Sequence, residues 1–164
     1  TLAIAAHYGP VYLRFGRPKV ANFTPLNQPF EIGKGLLLKP GSDVTIIATG
    51  HLVWEALQAA EVLSSQSINA EVINIHTIKP LDRSMIIESV TKTKCVVTAE
   101  EHNVFGGLGE SVAGLLAQEL PSPQEYVAMQ DSFGESGTPA QLMNKYGLNS
   151  EAIVDKTKKV LLRK

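Results

Sequence analysis

The stretch Val44-Thr45-Ile46-Ile47-Ala48-Thr49 is followed by Val53, Ala56, Leu57, Ala60 and Leu63 on one helical face, and then by Ala70-Glu71-Val72-Ile73-Asn74-Ile75. A short apolar run, a stripe of period 3.6 and a second short apolar run read as strand, helix and strand. Two parallel strands joined through a helix need a right-handed crossover, which lays the helix on the sheet. The pattern continues downstream. Asp82 can cap a helix whose buried stripe is Met85, Ile86, Ser89 and Val90, and Cys95 to Ala99 reads as the next strand. Gly106 and Gly107 open a helix carrying Leu108, Val112 and Leu115, and Glu125 to Met129 reads as a last strand. Alternation of this kind defines an α/β chain, a three-layer α/β/α sandwich around a mostly parallel sheet.

Upstream, Ile32 to Leu38 is a further apolar run, separated from Val44 by Lys39-Pro40-Gly41-Ser42-Asp43. Those turn residues predict an antiparallel hairpin between the two runs. Downstream, Thr138 suits an N-cap, Pro139 the first helical position and Gly147 a left-handed exit after Leu142, Met143 and Tyr146. Ser150 starts a last helix with Ile153, Val160 and Leu161 as its apolar side. At the other end, residues 1–18 run apolar-helical and then alternate through Val11, Leu13 and Phe15, as a two-faced strand does. Lys19 to Pro29, with two prolines and no sustained periodicity, read as a linker. The expected organisation is therefore the tail of a preceding domain (1–18), a linker (19–29) and a body (30–164). Opening at Thr1 within an Ala-rich segment, the chain reads as a piece of a larger or processed polypeptide.

The 164 residues are 44% hydrophobic and 19% charged, enough apolar material for one compact core without a disulfide or metal staple. The single cysteine, Cys95, sits in an apolar run and reads as a small buried hydrophobe. Lys plus Arg total 15 against 16 for Asp plus Glu, so no charge excess draws the chain to nucleic acid or to an anionic membrane. No apolar run approaches the roughly 20 residues of a bilayer span and no signal region opens the chain, a pattern that suits the cytoplasm.

In open parallel sheets, ligands collect beyond the carboxyl ends of the strands. His51, His76 and His102 each follow a predicted strand, which places all three on that edge, a candidate for weak anion or ligand binding. Imidazoles with Glu100 and Glu101 are a possible zinc donor set, but no pair has His-x-x-x-His spacing, so loop histidines in hydrogen bonds are the favoured reading and no metal site is assigned. Gly106-Gly107-Leu108-Gly109-Glu110-Ser111 superficially suggests a phosphate-cradling loop; Val112 stands where the third glycine belongs, and tight turning explains these glycines as well. Arg14 and Arg17 flank Phe15-Gly16, where a guanidinium could grip a phosphate or simply form a surface ion pair.

Several segments together resemble the C-terminal part of transketolases, particularly those split into two separately encoded subunits. They are Gly9-Pro10-Val11-Tyr12-Leu13-Arg14-Phe15-Gly16-Arg17-Pro18, Asp43-Val44-Thr45-Ile46-Ile47-Ala48-Thr49-Gly50, His76-Thr77-Ile78-Lys79-Pro80-Leu81-Asp82, Thr98-Ala99-Glu100-Glu101-His102-Asn103 with Gly106-Gly107-Leu108-Gly109-Glu110, and Phe133-Gly134-Glu135-Ser136-Gly137-Thr138-Pro139 before Lys145-Tyr146-Gly147-Leu148. The middle segments are shared with 1-deoxyxylulose-5-phosphate synthase and with the beta subunits of 2-oxo acid dehydrogenases. The Ser-Gly-x-Pro segment and the helix ending in Tyr-Gly resemble transketolase itself.

The resemblance implies a five-stranded sheet with one antiparallel strand. It implies transfer of a two-carbon ketol unit between sugar phosphates, xylulose 5-phosphate to ribose 5-phosphate or erythrose 4-phosphate, in the pentose phosphate pathway. The cofactor would be thiamine diphosphate with Mg2+ or Ca2+, held by domains that this chain lacks, in a homodimer or a heterotetramer with N-terminal subunits. It also implies that Arg17 contacts the substrate phosphate, and that the family's activating glutamate lies upstream, so Glu100, Glu101 and Glu110 receive no catalytic duty. The alternatives are the corresponding domain of the synthase and a non-catalytic anion-binding or scaffold module.

Overall fold

The computed structural model describes residues 1–16 and 19–164, so Arg17 and Pro18 lie outside the described residues. In chain order the elements are α1 (Leu2–Ala5), β1 (Leu36–Lys39), β2 (Val44–Ala48), α2 (Leu52–Ser65), β3 (Ala70–Asn74), α3 (Arg83–Thr93), β4 (Val96–Asn103), α4 (Leu108–Glu119), β5 (Gln124–Met129), α5 (Pro139–Lys145) and α6 (Ser150–Leu161). The five strands form one sheet in the order β1-β3-β2-β4-β5, with β1 antiparallel to β3 and the other pairs parallel. The three-layer sandwich is as the alternation predicts, and the five-stranded sheet with one antiparallel strand is as the resemblance implies.

The layers follow from the period-two alternation of buried strands. Val44, Ile46 and Ala48 of β2 face the apolar sides of α2 and α6, whereas Ile47 joins Ile73, Ile75 and Val96 against α3 and α4. Ile46 and Ile47, adjacent in sequence and on opposite faces, are both fully buried, each worth about 2 kcal/mol of transfer free energy. On the α3 side one polar cluster interrupts the packing. Thr45 Oγ1 lies 2.6 Å from both Ser89 Oγ and Thr93 Oγ1, and Ser89 donates to Glu71 Oε1 at 2.5 Å. Lys92 completes the cluster by pairing with Glu71 Oε2. Burial works to raise the Glu71 pKa, but the bonds from Lys92, Ser89 and Gly41 outweigh it and hold the carboxyl below its ordinary value.

Helix ends are set by local chemistry. Asp82 accepts from the Met85 amide to cap α3, and its other oxygen accepts from the Gly35 amide at 2.9 Å, tying the approach to β1 onto the helix start. Thr138 and Gln141 form a reciprocal capping box with Pro139 at the first position of α5. Gly147 leaves that helix with φ +64. The cap of α6 is Asn149, one residue ahead of the expected Ser150.

Two expectations need correction. The run before Val44 does become the antiparallel strand, but β1 pairs with β3, Leu36 opposite Asn74 and Leu37 opposite Ile73, and not with β2. The turn residues do not close a hairpin. They carry the chain across the start of β3: Ser42 and Asp43 amides both donate to Asn69 O, and Asp43 Oδ2 accepts from the Asn69 amide at 2.7 Å. Gly41 lies so close that a Cβ there would stand 2.6 Å from Asn69 O and nearer still to the backbone of Ala70 and Glu71. Second, residues 11–16 are not a paired strand. The edge strands of the sheet are β1 and β5, and alternation without a strand beside it to complete the ladder leaves an extended segment. Its side chains face water, Tyr12 and Phe15 at more than four-fifths of their full exposure.

Candidate functional site

The strand order creates a crevice at one place. From β2 the chain leaves through α2 on the α2/α6 face toward β3, and from β4 it leaves through α4 on the opposite face toward β5. The carboxyl ends of the neighbouring strands β2 and β4 therefore diverge, the arrangement that opens a ligand crevice in doubly wound sheets.

In this chain its own side chains occupy that edge. His51, the N-cap residue of α2, places Nδ1 2.8 Å from Glu101 Oε2 at the end of β4. Arg14, in the extended N-terminal segment, donates from Nη2 to Glu101 Oε1 at 3.3 Å and to the Glu101 carbonyl at 3.4 Å. Glu101 thus joins three stretches of chain far apart in sequence.

Glu100 points the other way, is 3% exposed and caps α4: its two oxygens accept from the Leu108 and Gly109 amides at 2.7 and 2.8 Å. Gly107 is required there because a Cβ would fall within 2.7 Å of that carboxyl. Glu110 Oε2 takes the Gly106 amide at 2.7 Å. Three amides of the glycine-rich loop are committed to carboxylates of the same chain, so the positive end of α4 is already neutralised, in keeping with the tight-turning reading that the sequence favours over a phosphate cradle. The roles of Glu100 and Glu101 escape the sequence reading. Their usable signal is an acidic pair at a strand end just ahead of a glycine-rich helix start, because alternation must send one side chain to each face.

His51 and His76 follow β2 and β3, whereas His102 is the next-to-last residue of β4 itself, so the three share the carboxyl edge of the sheet. They do not converge into one cluster. His102 Nδ1 donates to Asn103 O at 2.9 Å. His76 stacks on Phe30 with ring centroids 4.3 Å apart, and its Nδ1 lies 3.0 Å from Thr77 Oγ1. Among the described residues no three His, Cys, Asp or Glu side chains are placed to hold a metal ion.

His76 carries a pH consequence. Its Nε2 is buried and has no hydrogen-bond partner among the described residues, and burial pushes the imidazole pKa below its ordinary 6.5. Above 6.5 the ring is neutral in both states; below it the unfolded chain takes up the proton first. Stability is therefore expected to be full above pH 6.5 and to fall as the pH drops from there through the folded-state value. Melting curves between about pH 7.5 and 5.5 should show that decline in the wild type and a flatter profile in His76→Phe, which keeps the stacking on Phe30.

The chain matches the family model described as "Transketolase, C-terminal domain" over residues 33–153. It is 46% identical over 161 residues to a 6-deoxy-6-sulfo-D-fructose transketolase subunit of Clostridium sp. (strain MSTE9), covering 98% of this chain and 50% of that protein. It is 37% identical to a 1-deoxy-D-xylulose-5-phosphate synthase of Thermomicrobium roseum, over 94% of this chain and 25% of the synthase. Among solved structures it superposes on a split gene transketolase described as an inactive beta4 tetramer with a TM-score of 0.94 and 44% identity, over 98% of this chain and 54% of that one. The chain belongs to the transketolase C-terminal domain family. It spans about half the length, or less, of these relatives.

Proposed function

We propose that this chain is the C-terminal part of a split transketolase, acting with N-terminal transketolase domains or subunits to move a two-carbon ketol unit from a ketose phosphate to an aldose phosphate. The observation that supports this most is the near-complete superposition on a split gene transketolase at 44% identity. Residues 1–18 would then be the tail of a preceding domain and 19–29 a linker. The bare apolar side chains of the N-terminal segment, with Leu2, Tyr8, Tyr12 and Phe15 all strongly exposed, suit a stretch that packs against more protein than is described here.

Thiamine diphosphate, with Mg2+ or Ca2+, is the cofactor this reading brings. The described residues do not fit it: they form no metal-ligand cluster, and the glycine-rich loop has its amides taken by Glu100 and Glu110. In this reading the cofactor is held by other parts of a cytoplasmic dimer or heterotetramer, and the isolated chain is inactive. What this chain contributes is a rigid sheet edge, subunit contacts and Arg17, whose guanidinium would bind the anionic end of the sugar. Binding energy taken from a group remote from the reacting carbon orients that carbon for transfer.

The 46% identity to a sulfosugar transketolase subunit favours one variant of this reading, in which the anion is a sulfonate. Sulfonate and phosphate both offer tetrahedral oxygens to a guanidinium. The likeness to the synthase favours another, with pyruvate as donor. The complete enzyme, purified with its partners, should transfer two carbons from xylulose 5-phosphate to ribose 5-phosphate only when thiamine diphosphate is present. Transfer from 6-deoxy-6-sulfo-D-fructose alone selects the sulfonate variant, condensation of pyruvate selects the synthase, and no cofactor-dependent transfer from any donor removes the enzyme reading.

A further inference from the structure

The outer face of α6 is laid out so that it complements itself. The helix buries Ile153, Thr157 and Val160, and its Lys156 and Lys159, with Arg163 just beyond its end, turn sideways to Glu125. Opposite the buried side, Glu151, Asp155, Lys158 and Leu162 recur at i, i+4, i+7 and i+11 and form one exposed stripe. Among the described residues, the three charged members of the stripe take part in no ion pair. Leu162 is 88% exposed. Beside the stripe, between α6 and α2, runs a groove of about 310 Å³ lined by Val62, Ser150, Glu151, Val154 and Asp155, where Val62 leaves 45% of its surface bare. Acids in the first half of the helix and a base in the second suit its own dipole. The same order means that the stripe, turned end for end, meets its own charges reversed.

We propose that this stripe is a docking surface for a second copy of the chain, the two α6 helices lying antiparallel about a two-fold axis that passes between Lys156 and Thr157. Asp155 of each copy then faces Lys158 of the other, two ion pairs related by the axis, as an isologous contact requires. At 1.5 Å per residue, Leu162 stands about 8 Å to one side of the axis and Glu151 about 8 Å to the other. Each Leu162 therefore arrives level with Glu151 of the other copy, at the mouth of the groove beside Val62 and Val154. The bare leucine of each copy seats in the groove of the other. Charge order selects this occupant: a uniformly acidic or uniformly basic partner would suit one half of the stripe and be repelled by the other half. The contact of one helix with one helix is small, at or below about 1,200 Å² of total surface, which is the range of weak and reversible association.

The test is analytical ultracentrifugation of the complete protein, with whatever subunits accompany it, over a concentration series at low salt. The wild type should pass from a base particle to one of twice its mass with a Kd of about 10–100 µM, and added salt should weaken the step. Asp155→Lys and Lys158→Glu each set like charges face to face at both symmetry-related contacts, so each variant alone should raise that Kd more than about tenfold. An equimolar mixture of the two variants restores opposite charges at both contacts and should bring the Kd back to within about threefold of the wild type. Leu162→Ser should weaken the doubling about tenfold by emptying the groove. The substituted side chains are exposed, so melting temperatures should match the wild type; Asp155→Asn, with a smaller effect of the same sign, serves if Asp155→Lys fails to fold. A wild type whose mass is constant and equal to that of both variants, variants that double as readily as the wild type, or a mixture no better than either variant alone would overturn the proposal.

Discussion

Gly41→Ala will lower the melting temperature of the chain by roughly 10 °C, corresponding to about 3 kcal/mol for a domain of this size. The added methyl would meet the main chain of Asn69, Ala70 and Glu71, at 2.6 Å from Asn69 O and closer to its neighbours. Main chain cannot rotate away as a side-chain tip can. The bonds that the crossing makes, Ser42 and Asp43 to Asn69 O and Asp43 Oδ2 to the Asn69 amide, would have to lengthen together. Gly114→Ala is the matched control: it lies inside α4 with nothing within 4 Å of its new Cβ, so helix propensity alone should make it neutral or stabilising by about 0.5–1 kcal/mol. Scanning calorimetry of the pair checks both signs. A Gly41→Ala midpoint within about 2 °C of the wild type would show that the crossing is looser than its geometry.

On the proposed phosphate-binding role of Arg17, Arg17→Ala in the assembled enzyme is expected to cost about 1.5–3 kcal/mol of binding to a phosphorylated acceptor, the range for hydrogen bonds to charged groups. That is roughly a 10- to 100-fold loss in kcat/KM. The same variant should handle an unphosphorylated acceptor within about twofold of wild type, because the remote guanidinium has nothing to hold there. Arg17→Lys should fall between the two, keeping the charge and losing the planar fork. Steady-state kinetics with ribose 5-phosphate and ribose separates these outcomes. Equal losses on both acceptors would remove the proposed phosphate-binding role of Arg17.

Alternation of apolar strands with helical stripes located nearly every element, and the caps Asp82, Thr138 and Gly147 appear in the structure at the positions where their side-chain chemistry placed them. Those features are local: a few neighbouring residues decide them. The partner of β1 is not local. Lys39-Pro40-Gly41-Ser42-Asp43 has hairpin composition, yet the same residues turn the chain under β3, and nothing within five residues reports which strand lies beyond. The edge chemistry was hidden for the same reason. Whether Glu100 or Glu101 faces the sheet edge depends on the register of β4, and the tie to Arg14 spans 87 positions. That His51, His76 and His102 share one carboxyl edge was readable; that a carboxylate would join only the first of them to a distant arginine was not.

The charged cluster at β5 closes a second question, that of what stops such sheets from joining one another. Glu125, on this outermost strand, is turned inward at 6% exposure and is held by Lys156, Lys159 and Arg163 from α6. Burial works against its ionisation, but the bonds from Lys159 and Lys156 prevail and keep its pKa low. At the opposite border, β1 is only four residues long, shifts register between Leu37 and Lys39, and ends in a lysine. Short length, an irregular ladder and buried or terminal charge are the means by which proteins make a sheet margin a poor template for another chain. Both margins being blunted, copies of this domain have no ready way to extend one another's sheet through these two edges.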